Sequence, residues 1–171
     1  MDYIIGLIIL ILYFVPLYIA NATPILIHGK TPLDFNKKLW GKPIFGKGKT
    51  IIGAASGIIA GAAAGAVIAI FIPAVLDIIP NYMFLAFMLG LGAILGDLLK
   101  SFFKRRYGIK SGEKWDFADQ LDFVVGGVIL SAIFARMPEW WVVVALLVVT
   151  FFIHSATNFV AFRLKLKKVP W

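Results

Sequence analysis

The chain has 171 residues, 61% of them hydrophobic and only 15% charged, against about 45–50% apolar and about 25% charged in ordinary soluble domains. A domain of this size buries only about 70% of its unfolded surface, so a water-soluble globule and a disordered chain are both excluded, and a polytopic membrane protein remains. With no Cys there are no disulfides or thiolate metal sites, and the net charge of +8, which in a soluble protein would suggest nucleic acid, first asks on which side of a bilayer the cations lie.

Five apolar segments follow in chain order. The first runs from Tyr3 to Ala20, interrupted by Pro16. The preceding Met1-Asp2 lacks the positive n-region of a signal peptide, so the segment is read as a span. Asn21, Thr23 and Pro24 read as its stop, with Asn21 also a candidate donor to a ligand. In the loop that follows, Gly41-Lys42-Pro43-Ile44-Phe45-Gly46-Lys47-Gly48 nearly matches a P-loop. Gly48, however, stands where Ser or Thr should bind the metal, and no strand is predicted before it. Two uses remain for this stretch. Its glycines beside Lys47, Lys49 and Thr50 at a helix start can hold an anion with backbone N–H groups, or the loop rests on anionic lipid.

The second segment, Ile51 to Ile72, has no charge and carries Gly53, Gly57, Gly61 and Gly65. That spacing makes a flat face for close helix contact, within the bundle or across a homodimer. The third segment is Tyr82 to Gly96, the fourth Leu121 to Ala135 with Asp122 inside it, and the fifth Trp140 to about Phe162 with His154 and Asn158 near its end. Each is predicted helical, because only a helix satisfies a single segment's backbone in lipid. His28 and His154 both read as structural. The expected fold is all-α: one integral membrane domain over residues 1–171, with five transmembrane helices and no internal repeat.

The basic residues sort by position. The stretch Asn21 to Thr50 holds Lys30, Lys37, Lys38, Lys42, Lys47 and Lys49. Lys100 to Gln120 holds Lys100, Lys104, Arg105, Arg106, Lys110 and Lys114, and the tail holds Arg163, Lys165, Lys167 and Lys168. Only Arg136 falls in the connectors Pro73–Asn81 and Arg136–Glu139. Five crossings put all three basic regions on one side. The positive-inside rule makes that side cytoplasmic, with two basic loops at about 21–50 and 100–120 and the N-terminus outside.

Two of the helices are too short on apolar residues alone. Fifteen residues rise only about 22 Å of a roughly 30 Å hydrocarbon core. The third must extend through Asp97 and Lys100 to about Ser101, since Pro80 and Asn81 lie at its outer end. The fourth must extend back through Asp119 to about Asp116, since Pro138 blocks the other end. Both extensions are cytoplasmic and bring Asp97, Asp116, Asp119 and Asp122 to one depth, near Lys100, Lys104 and Arg105. Asp97, Ser101 and Lys104 share a helix face at i, i+4 and i+7. Snorkelling ion pairs would account for isolated charges at helix ends. Several acids at one level beside a basic cluster favour a metal–phosphate site instead, and all-oxygen ligands suit Mg²⁺ bridging phosphates.

At these residues the sequence resembles a known family. Ser101, Lys104 and Arg105 match the S-x-x-K-R signature of membrane CTP-dependent cytidylyltransferases, the CDP-diacylglycerol synthases among them, and Asp119 and Asp122 match the two acids of their D-R-x-D. Gln120 replaces the Arg of that motif, Ser111 follows Lys110 where the larger enzymes have Asp, their His-Gly-Gly segment is missing, and the chain is much smaller. These departures are similar to the archaeal branch, the CDP-archaeol synthases, over nearly the whole chain. The resemblance implies transfer of CMP from CTP to the phosphate of an isoprenoid ether lipid, 2,3-bis-(O-geranylgeranyl)-sn-glycerol 1-phosphate, in the cell membrane with the active site facing the cytoplasm. No nucleic-acid partner is expected.

A lipid phosphate with a second pKa near about 6 is already a nucleophile at neutral pH, so the reaction needs charge neutralisation and alignment rather than a strong base. On this reading Asp97, Asp119 and Asp122 hold Mg²⁺. Ser101, Lys104 and Arg105 contact phosphates, with Asn21, Lys47, Lys49, Thr50, Lys100 and Asp116 as further substrate contacts. Asp116 is alternatively a residue that orients Lys104 or Arg105. A CDP-alcohol phosphatidyltransferase is set aside, because Phe123 rather than Gly follows Asp122. A small transporter or channel with an acidic cation site is the non-enzyme alternative, although its ion sites would be expected nearer the bilayer centre.

Overall fold

A computed structural model describes residues 3–27, 29–111, 113–115 and 117–163, without the side chains of residues 154, 157, 158, 160 and 161. His28, Asp116, Lys165, Lys167, Lys168 and the side chains of His154 and Asn158 lie outside the described residues.

Apolar runs without helix-breaking clusters become helices: α1 (Tyr3–Leu26), α2 (Ile51–Phe71), a short α3 (Val75–Ile78), α4 (Tyr82–Arg106), α5 (Ala118–Phe134) and α6 (Trp140–Arg163). A hairpin, β1 (Lys38–Leu39) against β2 (Lys42–Pro43), lies in the first basic loop. The fold is helical, and α1, α2 and α4 are each long and apolar enough to cross a membrane.

Three boundaries differ from the sequence expectation, each for a local reason. α1 does not stop at Asn21 but continues through Pro24 to Leu26. A helical proline deprives the carbonyl four residues earlier of its donor, and here the tertiary structure supplies a donor to the carbonyl freed by Pro16 and packs closely on the one freed by Pro24. The buried Tyr82 hydroxyl donates to Leu12 O at 3.0 Å, below Pro16, and α2 approaches Ala20 O, below Pro24, at Gly57, where a Cβ would stand only 2.7 Å from that oxygen. α4 runs past Ser101 to Arg106 and ends where Gly108 takes φ +80°. Lys104, Arg105 and Arg106 occupy its last turn, where cations complement the helix dipole. α5 starts at Ala118 rather than at residue 116, because Phe117 adopts φ +57° and reverses the chain.

α2 is capped by Thr50, whose hydroxyl oxygen accepts from Gly53 N at 3.1 Å and Gly29 N at 3.2 Å. Its glycine stripe is buried against α1 and α4: Gly61 faces Pro16 and Ala20 on one side and Gly90 on the other. That face is taken up within the chain, so it is not free as a seam for a second copy. A second close approach joins α4 to α5 through Gly92, Gly96, Gly126 and Gly127, with backbone meeting backbone. It brings the two acid-bearing helices together. At the opposite end of the bundle, the Tyr13 hydroxyl donates to Arg136 O at 3.0 Å, and the Arg136 guanidinium to Ile78 O at 3.0 Å.

Candidate active site

The α4–α5 approach carries Asp97, Asp119 and Asp122 to one point, and a single ammonium fills it. Lys100 Nζ lies 2.7 Å from Asp122 Oδ2, 3.2 Å from Asp97 Oδ1 and 3.3 Å from Asp119 Oδ1. Two further lysines close the network. Lys49, from the first basic loop, is 2.5 Å from Asp97 Oδ2. Lys104 donates to both oxygens of Asp119 at 3.0 Å and to Glu113 O at 2.6 Å. Three acids thus face three lysines, and the charges balance. Asp119 sits in the first turn of α5 and accepts from Trp115 N at 2.7 Å, a position where the helix dipole favours an anion. The Asp122 side chain is only 6% exposed. Its Oδ2 lies 2.7 Å from Lys100 Nζ, the distance of a charge-assisted contact.

Two cavities meet at this network. A polar cavity of about 160 Å³ is lined by Phe45, Gly48, Lys49, Lys100, Ser101, Lys104, Arg105 and Ser111. The Nε of Arg105 is buried and has no partner among the described residues, which leaves a donor for an incoming anion. The second is an apolar groove of about 420 Å³ along α4 and α5, walled by residues such as Leu99, Phe103, Phe117, Leu121 and Ile129. Lys100 lines both, and Asp122 also lines the groove. A smaller recess between them and α2 is lined by Pro24, Thr50 and Asp97.

Of the expected site residues, the structure brings together Lys49, Asp97, Lys100, Ser101, Lys104, Arg105, Asp119 and Asp122. Lys47 is exposed and Asn21, within α1, is outside the residues that line these cavities. Thr50 borders the recess, but its hydroxyl is engaged as the α2 cap. Asp116 lies outside the described residues, and Asp119 and Glu113 O orient Lys104. Gln120, in place of the motif's Arg, donates to Ser155 Oγ at 3.2 Å and ties α5 to α6.

Sequence reading missed how the first loop is fastened. Arg106 donates to Leu39 O at 2.5 Å, to Lys42 O at 3.3 Å and to Pro43 O, and its guanidinium lies 4.8 Å from the Phe102 ring and 5.6 Å from that of Trp40. Lys42 returns a bond to Arg106 O at 2.8 Å. On the other side of the loop the buried Asp34 accepts from Asn36 N at 3.0 Å, Phe45 N at 2.9 Å and Gly46 N at 3.0 Å. Together they fix the segment that presents Phe45, Gly48 and Lys49 to the polar cavity.

Burial pushes the Asp34 carboxyl up, but the N–H groups of Gly46, Phe45 and Asn36 outweigh it and hold it below the usual carboxylate range. A depressed native pKa stabilises above the unfolded value, about 3.9, and that contribution is lost as pH falls through the native value. Limited proteolysis of the loop should therefore be unchanged from neutral pH down to about 5 and accelerate only below about 4. Asp34→Ala, which leaves buried N–H groups unpaired at about 1–3 kcal/mol, should expose the loop to protease at every pH.

A helical bundle whose basic cavity opens beside buried carboxylates and an apolar groove has the parts that a membrane transferase acting on phosphate-bearing substrates requires. The comparisons narrow that class. The family described as CarS-like CDP-archaeol synthase matches residues 3–171. The chain is 36% identical over 168 residues to the CDP-archaeol synthase of Sulfolobus acidocaldarius, covering 98% of this chain and 99% of that one. It is 41% identical over 161 residues to that of Methanopyrus kandleri, covering 93% and 90%. A solved structure of an intramembrane enzyme for archaeal membrane lipids biosynthesis superposes with a TM-score of 0.78 at 35% identity, over 86% of this chain and 91% of that one. The chain belongs to the CDP-archaeol synthase family, and the transporter alternative gives way to an enzyme.

Proposed function

We propose that the protein moves CMP from CTP onto the phosphate of an unsaturated isoprenoid ether lipid, forming the CDP-activated lipid and pyrophosphate. One observation carries the assignment of parts: the polar cavity and the apolar groove share Lys100. A nucleotide triphosphate in the first and lipid chains in the second would bring the two phosphates together at that residue. The lipid phosphate oxygen attacks the α-phosphorus of CTP, and the bond to the β-phosphate's bridging oxygen breaks as pyrophosphate leaves. Lys49, Ser101, Lys104 and Arg105 would hold the triphosphate, and alignment with charge neutralisation supplies the catalysis.

Asp97, Asp119 and Asp122 are proposed to hold Mg²⁺. The donor set suits a hard cation, which Mg²⁺ sites build from one or two carboxylates plus substrate phosphates. Among the described residues no three such side chains stand ready to hold a bare metal, and the Lys100 ammonium lies between the acids, so substrate phosphates would complete the set. The metal would supply charge for the triphosphate. Five spans are proposed, α1, α2, α4, α5 and α6, with the basic loops on the cytoplasmic side of the cell membrane and CTP entering from that side.

The reading is tested with purified protein, Mg²⁺, labelled CTP and a panel of ether and ester lipid phosphates. Label is expected in an ether-lipid product with stoichiometric pyrophosphate. Failure of CMP to reach any lipid phosphate, or transfer only to ester lipids, would refute the substrate assignment.

A further inference from the structure

We infer that the Lys100 ammonium is the resident cation of this site in the free protein, and that it exchanges with the divalent cation when nucleotide and metal arrive. The inference rests on the carboxylates being the metal site. Three carboxylates drawn from two helices converge on one nitrogen, at 2.7, 3.2 and 3.3 Å. Helix contact, not the lysine, sets their spacing, since the backbones of α4 and α5 touch at Gly96 and Asp122. Without a cation at the centre, three anions would face one another in a site where Asp122 is almost fully buried, an arrangement that membrane-depth acids do not tolerate.

The contact is also one that a stronger cation displaces. Lys100 divides one charge among three partners, and two of them stand at 3.2 and 3.3 Å. Its stem is a flexible four-carbon chain, and the residue lines the polar cavity as well as the acid cluster. A divalent cation meeting the same carboxylates brings twice the charge. The released ammonium remains tethered at the junction of the two cavities, facing the phosphates that enter with the metal. The exchange keeps the site near charge balance in both states: lysine against acids before binding, metal against acids and lysine against phosphate after it.

The test uses Mn²⁺ as the probe, read by electron paramagnetic resonance on the full-length protein without nucleotide. Lys100→Met removes the competing charge and keeps the stem; Lys100→Arg keeps the charge. Lys100→Met is expected to bind Mn²⁺ at least about tenfold more tightly than wild type, and Lys100→Arg no more tightly, as competition for one site requires. A lysine with a purely structural role predicts unchanged or weaker binding in Lys100→Met, and either result overturns the exchange while leaving the metal site standing. No binding in wild type or in either variant overturns the metal reading and the exchange together. Should Lys100→Met fold poorly in metal-free buffer, Mn²⁺ must raise its melting temperature more than that of wild type; an equal or smaller rise counts against the exchange.

Discussion

Asp122→Asn should lower turnover by about a hundred- to a thousand-fold, the range expected when a charge-stabilising group is removed from a transition-state site, and should leave the fold near wild-type stability. The ion-pair map gives the reason for the second half. Without the Asp122 charge, Lys100 still has Asp97 and Asp119, so no lysine is stranded. The other two acids behave differently. Asp97→Asn leaves Lys49 without its carboxylate, but that lysine is 30% exposed and is partly resolvated. Asp119→Asn leaves Lys104, only 8% exposed, with neutral partners alone, Glu113 O and the new amide oxygen, and it also weakens the acceptor for Trp115 N. Stranding a buried charge costs about 3–5 kcal/mol. Turnover should therefore collapse in all three variants, while melting temperature falls in the order Asp122→Asn least, Asp97→Asn next, Asp119→Asn most. Steady-state CMP transfer and thermal unfolding in the same detergent read both quantities. Wild-type turnover in Asp122→Asn, or a melting order that ranks it lowest, would contradict the assignment.

The acids were legible in the sequence because membrane thickness is an external ruler. On the reading that both helices span, one with fifteen apolar residues draws its neighbours inward, and the neighbours here are Asp97 in α4 and Asp119 in α5. What local spacing does not encode is pairing across the chain. Lys47 and Lys49 are equivalent as sequence, yet only Lys49 turns toward Asp97, because Asp34 and Arg106 fasten the loop in one conformation. Those two residues act over long separations and carry no motif. The stop at Asn21 failed for the opposite reason. The local rule for proline is sound, but Tyr82, far along the chain, donates to the carbonyl that Pro16 releases, and α2 packs at Gly57 against the one that Pro24 releases. The hairpin depends on positive φ at Trp40 and Gly41, and Trp40 is not a residue from which such a turn is read.

The α4–α5 contact did have a sequence signal, Gly92-x-x-x-Gly96, and it leads to the second large effect. A methyl group at residue 96 would overlap Asp122 O and stand 3.0 Å from Asp122 C and 3.1 Å from Gly126 Cα. All three are backbone atoms, so no side chain can turn aside, and the helices must separate. Overpacking of this kind costs about 1–3 kcal/mol. The separation also falls between Asp97 and Asp122, whose meeting at Lys100 depends on that approach, and a misplacement of about 1 Å at a reacting site costs about a hundredfold in rate. Gly61→Ala supplies the comparison. Its Cβ would crowd Ala20 Cβ and Gly90 Cα at 3.0 Å each, a milder strain in the middle of the bundle, and no acid or cavity residue lies beside it. Both variants should melt below wild type. Gly61→Ala should keep its turnover per folded molecule within a fewfold of wild type, while Gly96→Ala should lose about a hundredfold with a weakened response of melting temperature to Mg²⁺ and CTP. If the two lose activity equally, the α4–α5 contact serves stability alone and does not set the spacing of the site.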